Sequence, residues 1–301
     1  LEDLIEEVSV PESEAINKDL FRIENASLAQ WQYVIEWAAK EGWNIGLGDA
    51  EHFFKVDPAG FFIGFLNDKP VSAVSFVNFD ESYSHWGHFI VDPKLRGRNY
   101  GIKLLDKGLT HAGSRSIGGD GNVQYERGYG RWGAKTHYQT LRLVGVIDKN
   151  QLFFEDNFEC ITSDNLEEVI DYDKQCLGYS RRALLNQWFF GEGRHGFLAR
   201  SGENIVGILG VRKSIEGYRI GPFYTENDTL MKSLFQKGIN SLPEGSQLTV
   251  DAPQANDGTF IQFATSLGMK EVFRTNRMFI GTELPQSRLE SIHAIATLEL
   301  G

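Results

Sequence analysis

Apolar and polar residues alternate with period two over residues 21–26, then switch to helical spacing, with Leu28, Trp31, Val34, Ile35 and Ala38 on one face. Ser27 and Gln30 stand three apart at the switch. That is the spacing of a capping box, in which each side chain satisfies the other's free backbone donor. Gly42 is the expected helix stop. Two apolar runs, 60–66 and 71–78, flank the turn Asn67-Asp68-Lys69-Pro70 and predict a hairpin. A third strand follows over 83–91. Ile102, Leu104, Leu105 and Leu109 predict a helix ending near Gly113. Residues 116–120, 123–132 and 140–147 then read as strand, helix and strand. The order is β-α-β-β-β-α-β-α-β.

The second half repeats this order. Residues 196–199, a turn at 201–204 and residues 205–211 echo the first hairpin about 135 residues on. Asp251 and Gly268 stand in nearly the same relation to Asp120 and Gly133. Residues 164–177 match the first helix, with Asp164 and Glu167 at capping-box positions. Finding one order twice predicts two tandem lobes, each a mostly antiparallel mixed sheet flanked by helices, an α+β fold. The lobes are expected at 21–148 and 149–301, joined near 149–156. Ile292, Ala294, Ala296, Leu298 and Leu300 alternate with His293, Thr297 and Glu299, so a closing strand is expected there.

Composition narrows the functional classes. The chain has 301 residues, 41% hydrophobic and 24% charged, enough to bury a real core. Net charge is −11, and residues 1–20, with seven acids and one lysine, contribute more than half of it. This acidic segment reads as a tail and not as a signal peptide. No basic patch marks a nucleic-acid surface, and no apolar run reaches the roughly 18 residues of a membrane span. Cys160 and Cys176 have no metal-ligand spacing, and the seven histidines are scattered, so no metal is expected and a reduced, cytoplasmic setting is the simplest reading.

The informative segment runs from Phe89 to Ile102, FIVDPKLRGRNYGI. A strand enters a tight turn that opens a helix, where backbone N–H groups lack partners and the helix dipole favours an anion. Gly97 and Gly101 permit close backbone approach, Arg96 and Arg98 add charge, and Asn99 tolerates left-handed geometry. Together they suit a pyrophosphate. The segment is neither a Walker loop nor a dinucleotide fingerprint.

Here the chain resembles the GCN5-related N-acetyltransferase (GNAT) superfamily, whose members bind acetyl-CoA through Arg/Gln-x-x-Gly-x-Gly/Ala. The match is Arg96-x-x-Asn99-x-Gly101, with Asn99 where the superfamily prefers Gly. The second half is similar to the GNAT-like domain appended in one subgroup, through Gly221-Pro222-Phe223-Tyr224, Val250-Asp251-Ala252-Pro253 and Leu267-Gly268-Met269. The resemblance implies acetyl-CoA held by Arg96, Gly97, Arg98, Asn99, Tyr100 and Gly101. It also implies that backbone amides of Phe89, Ile90 and Val91 polarise the thioester carbonyl as an oxyanion hole. It implies a tyrosine acid four residues before a glycine, which Tyr129 and Gly133 supply, with Tyr125 the rival. A base on the strand before the turn falls at His85, six residues before Val91, with ordered water as the alternative and His88 on the opposite side. Strand periodicity puts His85, Gly87, Phe89 and Val91 on one face.

The acceptor stays open between a small amine, an amino acid, a polyamine, an antibiotic and a peptide N-terminus. A non-catalytic acyl-CoA-binding module and a transferase for a longer acyl group, or to a hydroxyl, are the competing functions. The second lobe's counterpart of the turn, residues 224–229, has neither Gly nor Arg and carries Glu226 and Asp228. It is expected to bind no CoA.

Overall fold

The Ser27 hydroxyl accepts from Gln30 N–H at 3.2 Å and the Gln30 carbonyl accepts from Ser27 N–H at 2.8 Å, so the capping box forms as read. It opens α1 (Leu28–Lys40), which follows β1 (Phe21–Asn25). The computed structural model describes residues 21–149, 157–254 and 258–301, so the acidic tail and most of the expected junction lie outside the described residues. After α1 come α2 (Asp49–Val56), the hairpin β2 (Phe61–Leu66) and β3 (Lys69–Asn78), and β4 (Tyr83–Val91). α3 (Tyr100–Ala112), β5 (Ser116–Asn122), α4 (Glu126–Gly130) and β6 (Lys135–Val146) complete the first half. The second half runs β7 (Glu159–Cys160), α5 (Leu166–Leu177), α6 (Arg182–Trp188), β8 (Arg194–Ser201) and β9 (Asn204–Lys213). It continues with β10 (Tyr218–Thr225), α7 (Asp228–Asn240), β11 (Gln247–Pro253), α8 (Thr259–Ser266), β12 (Lys270–Ile280) and β13 (Ile292–Ala294).

The expected α+β fold with a repeated, mostly antiparallel order is present, and four local expectations are corrected. α2 and α6 are additional; each is short, and what holds them is burial of Phe53 and Trp188 against one another across the halves, stacked at 6.2 Å. The helix expected over 123–132 is a 3-10 turn followed by the five-residue α4, as its two glycines allow. The capping box at Asp164 and Glu167 does not form. Asn165 caps α5 by position, its carbonyl accepting from Thr162 N–H, while Glu167 pairs with Arg182 at 2.6 Å. The closing strand stops at Ala294: the next amide, Ile295 N–H, turns to the Asp251 carbonyl, and Gly301 N–H closes a turn onto Thr297.

The sheet order was not legible in the sequence. All strands of the described residues join one sheet, β1-β2-β3-β4-β5-β12-β6-β11-β10-β9-β8-β7, with β13 on β10. β12 of the second half therefore lies between β5 and β6 of the first, and β6 lies between β12 and β11. The two halves exchange their last long strands. Arg277 of β12 sits directly opposite Asp120 of β5, and their side chains pair at 2.5 Å, both buried. Arg142 of β6 pairs with Asp251 of β11 through two hydrogen bonds, 2.7 and 2.9 Å. The core is likewise shared: one cluster joins Trp31, Phe53 and Tyr83 to Tyr172, Trp188 and Tyr224.

Because each half completes the other's sheet, the chain is expected to unfold in one thermal transition, the same by calorimetry and circular dichroism. The fragment 21–148 alone exposes the edges of β5 and β6 that β12 and β11 cover, and is expected to be unfolded or aggregated. A soluble fragment with its own cooperative transition would contradict this.

Candidate active site

β4 and β5 run parallel and pair only from Tyr83↔Ser116 to Trp86↔Gly119. Past that point they splay, so the edge of β4 facing away from β3 has no β5 partner along residues 87–91. The register of β4 against β3 also slips between Ser75↔Gly87 and Ala73↔Ile90, and His88 takes a positive φ of 47°. This is a β-bulge, one extra residue that reverses the alternation of faces beyond it.

The bulge overturns the periodicity argument for His85. Trp86, Phe89 and Val91 share the α3–α4 face: Trp86 meets Tyr129 at 5.1 Å, Phe89 meets Trp132 at 5.9 Å, and Val91 lies near Gly101. His85 lies on the other face, as does His88, which packs on Trp31 and Phe53 and bonds Ser75 at 2.9 Å. His85 is fully buried beneath the segment 295–301, its Nδ1 3.0 Å from the Tyr83 hydroxyl and its Nε2 3.4 Å from the Leu298 carbonyl. Gly87 makes room for that segment, since a Cβ there would collide with the Glu299 carbonyl. Burial, then the charge of Arg277, holds the His85 imidazole well below its ordinary value, so it is neutral.

Beyond β4, Asp92 caps a 3-10 turn and the chain reaches Gly97 (φ 83°) and Asn99 (φ 62°). Arg96 is exposed, its Nε donating to the Val91 carbonyl at 3.1 Å and its Nη2 to Glu41 at 2.7 Å. Arg98 is exposed. Asn99 occupies the N-cap of α3 but makes no side-chain cap bond, leaving the first amides of the helix open. The Tyr100 side chain turns inward onto Phe21, ring centroids 4.6 Å apart, so only its backbone faces the turn. Gly101 accommodates the Phe89 ring, which would stand 2.7 Å from a Cβ there.

Tyr129 lies where the strands splay, its ring against Gly121 of β5 and between Trp86 and Trp132. Burial pushes its hydroxyl up to about 12, against a backbone hydrogen bond from Asn122, so it holds its proton at neutral pH. Tyr125 is 52% exposed. Uncapped helix amides and two exposed arginines, Arg96 paired with Glu41, thus lie at the end of the splayed strand pair.

The second half has the same frame, filled. β10 pairs with β11 only at residues 218–220, and its register against β9 shifts after Ile220, as β4 does against β3. β13 occupies the splay, paired to β10 at Phe223↔Ala294 and Tyr224↔Ile292. The helix that follows, α7, is capped by its own Asn227, whose carbonyl accepts from Leu230 N–H at 2.9 Å, with Asp228 in the first turn.

Side chains that the sequence reading did not single out close the other face. The loop between α1 and α2 is held by buried arginines: Arg142 donates to the Trp43 carbonyl (2.6 Å), Arg219 to Asn44 (2.8 Å) and Arg194 to Leu47 (2.9 Å). Asp49 pairs with Arg194 and Arg212 and Asp251 with Arg142 and Arg219. Burial alone raises the Asp251 carboxyl, but its two arginines hold it at about 2. Charged residues inside otherwise apolar strands were the available signal. Among the described residues no cluster of His, Cys, Asp or Glu is suited to a metal, and no helix is long and apolar enough to cross a membrane.

Residues 22–121 match the Acetyltransferase (GNAT) family, and residues 169–294 match an Acetyltransferase (GNAT) domain. A holothin acyltransferase from a Pseudoalteromonas species, strain SANK 73390, is 46% identical over 276 residues, spanning 92% of this chain and 93% of that protein. A crystal structure of a candidate acetyltransferase from Pyrococcus horikoshii superposes with a TM-score of 0.79 at 16% identity, over 96% of this chain and 98% of that one. A tandem GNAT protein from the clavulanic acid biosynthesis pathway superposes at 0.61 with 12% identity, over 87% and 99%. These last two show likeness of fold.

Burial pushes the His88 imidazole down to about 4, against the charges of Glu299 and Asp49. With an unfolded value near 6.5, the unfolded state binds the proton first as pH falls. The stability His88 contributes is therefore complete above about pH 6.5 and is lost toward pH 4. His88→Asn keeps a residue that tolerates positive φ. It is expected to reduce the slope of stability against pH near pH 5 by about 1 kcal/mol per pH unit, measured by denaturant titration. An unchanged slope would place the titration elsewhere.

Proposed function

Because this chain belongs to the GNAT acyltransferases, on the strength of the extended 46% identity and the two matched regions, we propose that it transfers an acetyl group from acetyl-CoA to an amine by direct attack in a ternary complex. The observation that carries this reading is the asymmetry of the two splays. One opens onto an uncapped helix flanked by Arg96 and Arg98; the other holds β13 and a helix with its own cap.

In this reading the pyrophosphate lies on the first amides of α3, with Arg96 and Arg98 supplying charge. The thioester reaches the splay, where free amides among Phe89, Ile90 and Val91 face the carbonyl oxygen as charge develops on it. The amine nitrogen bonds to the carbonyl carbon and the C–S bond breaks. Tyr129, protonated and beside the splay, gives its proton to the departing thiolate. His85 has both ring nitrogens engaged, so the ammonium proton leaves through an ordered water, and His85 helps to hold Tyr83 and the 295–301 segment in place.

The similar Pseudoalteromonas protein acts, by its name, on holothin. We propose a small-molecule acceptor of that kind in preference to a peptide N-terminus, because the face opposite Tyr129 is closed over by residues 295–301. That protein is named for acyl rather than acetyl transfer, which favours a second reading with a longer acyl group; a panel of acyl-CoAs assayed for thiol release separates the two.

Acetyl-CoA is expected to bind with a stoichiometry of one per chain by titration calorimetry. Arg96→Glu should abolish binding by placing a negative charge at the pyrophosphate. Two sites, or undiminished binding in the variant, would move the nucleotide elsewhere.

Tyr129→Phe is expected to lower kcat by about 100-fold, the scale of general acid catalysis, with acetyl-CoA affinity nearly unchanged. A comparable loss in Tyr125→Phe but not in Tyr129→Phe would reassign the acid.

A further inference from the structure

The Arg96 side chain lies across the outer end of the splay. Asp92 N–H donates to the Val71 carbonyl, on the side of β3. In an antiparallel pair, hydrogen-bonded and non-hydrogen-bonded positions alternate. Val91, opposite Ser72, is the non-hydrogen-bonded one, so its backbone carbonyl faces away from β3 and into the splay that β5 leaves open. Arg96 Nε donates to that carbonyl at 3.1 Å, and Arg96 Nη2 donates to Glu41 at 2.7 Å. One guanidinium thus ties the free edge of β4 to the end of α1.

The two ends of this tie differ. Glu41 is a fixed post: its N–H closes α1 on the Trp37 carbonyl at 3.0 Å, and Trp43 N–H holds the Ala38 carbonyl at 3.0 Å. The Trp43 carbonyl in turn accepts from buried Arg142 at 2.6 Å, so the end of α1 is anchored to the strand exchange. Arg96 is the movable end. It closes the 3-10 turn beside Gly97, whose φ is 83° and where a Cβ would meet nothing within 4 Å. There is open ground next to Arg96 on the way to the first amides of α3. The two side chains are 44% and 37% exposed. Water can take up both charges when such a pair parts, so it opens at little cost. A buried pair would strand a charge instead.

We propose that the Glu41–Arg96 contact gates the donor site. In the empty protein Glu41 holds Arg96 on the Val91 carbonyl. An entering acyl-CoA takes the guanidinium from Glu41 with its pyrophosphate, which clears the edge of β4 for the arm that carries the thioester. Glu41 competes with the nucleotide for one guanidinium, so it weakens the binding of acyl-CoA and of free CoA alike. It recaptures Arg96 when CoA leaves. Glu41 touches no reacting atom and acts only through Arg96, as a positioning residue. Side-chain length decides the contact: an aspartate there keeps the charge but falls one methylene short. The proposal rests on the acyl-transfer reading above, in which Arg96 meets the pyrophosphate.

The test is titration calorimetry of the full chain with acetyl-CoA and with CoA, at one fixed ionic strength, in Glu41→Asp and Glu41→Gln. Both variants are expected to bind either nucleotide about threefold tighter than the wild type, the scale of losing one exposed ion pair. In an Arg96→Ala background, Glu41→Asp should change nothing, because the partner it releases is gone. Tighter binding in Glu41→Gln but not in Glu41→Asp would make Glu41 a charge acting through space and overturn the gate. So would weaker binding in both variants, which is the result if Glu41 instead holds Arg96 ready for the pyrophosphate. An equal gain from Glu41→Asp with and without Arg96 would overturn it as well. A wild type that binds neither acetyl-CoA nor CoA is a different failure, which overturns the acyl-transfer reading and this proposal with it.

Discussion

The ladder β5-β12-β6-β11 carries the architecture, because each of its strands lies between neighbours from the other half of the chain or bridges to it. A repeated fold with two separate sheets would leave open edges, which invite pairing with other chains. Exchanging the last strands closes both edges at once and aligns Asp120 with Arg277 and Arg142 with Asp251 across the join. Such buried ion pairs are weak evidence of net stabilisation, since desolvation cancels much of the attraction. Losing one partner, however, strands a charge in the interior at a cost of about 3–5 kcal/mol. The pairs therefore act on register: a slip of one residue turns every charged side chain in the ladder to the wrong face.

From that ladder follows the closeness of the two splays and their different fates. Both halves pair two parallel strands briefly and then part them next to a register shift. In the first half the gap leads to open amides at α3 and to two arginines. In the second, β13 supplies the backbone partners that β10 lacks, and Asn227 and Asp228 meet the needs of α7. The segment that follows β13 crosses to the first half and seals the face holding His85 and His88, with Gly87 cut back to admit the Glu299 carbonyl. One piece of chain thus fills the splay of the second half and closes one face of β4 in the first.

Local signals were legible wherever the physics is local. The Ser27–Gln30 box, the hairpin turn at residues 67–70, the stop at Gly113 and the strand-turn-helix at Arg96–Gly101 each depend on a few adjacent residues, and each formed as the residues imply. The repeat was legible too, because equal element orders leave equal patterns. The face of His85 was not. Period two assumes an unbroken strand, and the extra residue at His88 breaks it without any mark in the hydrophobic pattern. Sequence alone therefore determined most of the long elements, the doubling and the strand-turn-helix at Arg96–Gly101, but not the short helices α2 and α6 or the end of β13. Only the tertiary structure decided which strands are neighbours, which groove stays open, and which charges meet. Those outcomes rest on pairings across more than 100 residues, such as Arg142 with Asp251, whose free energy comes from burying the two partners together and is absent from either stretch of sequence taken alone.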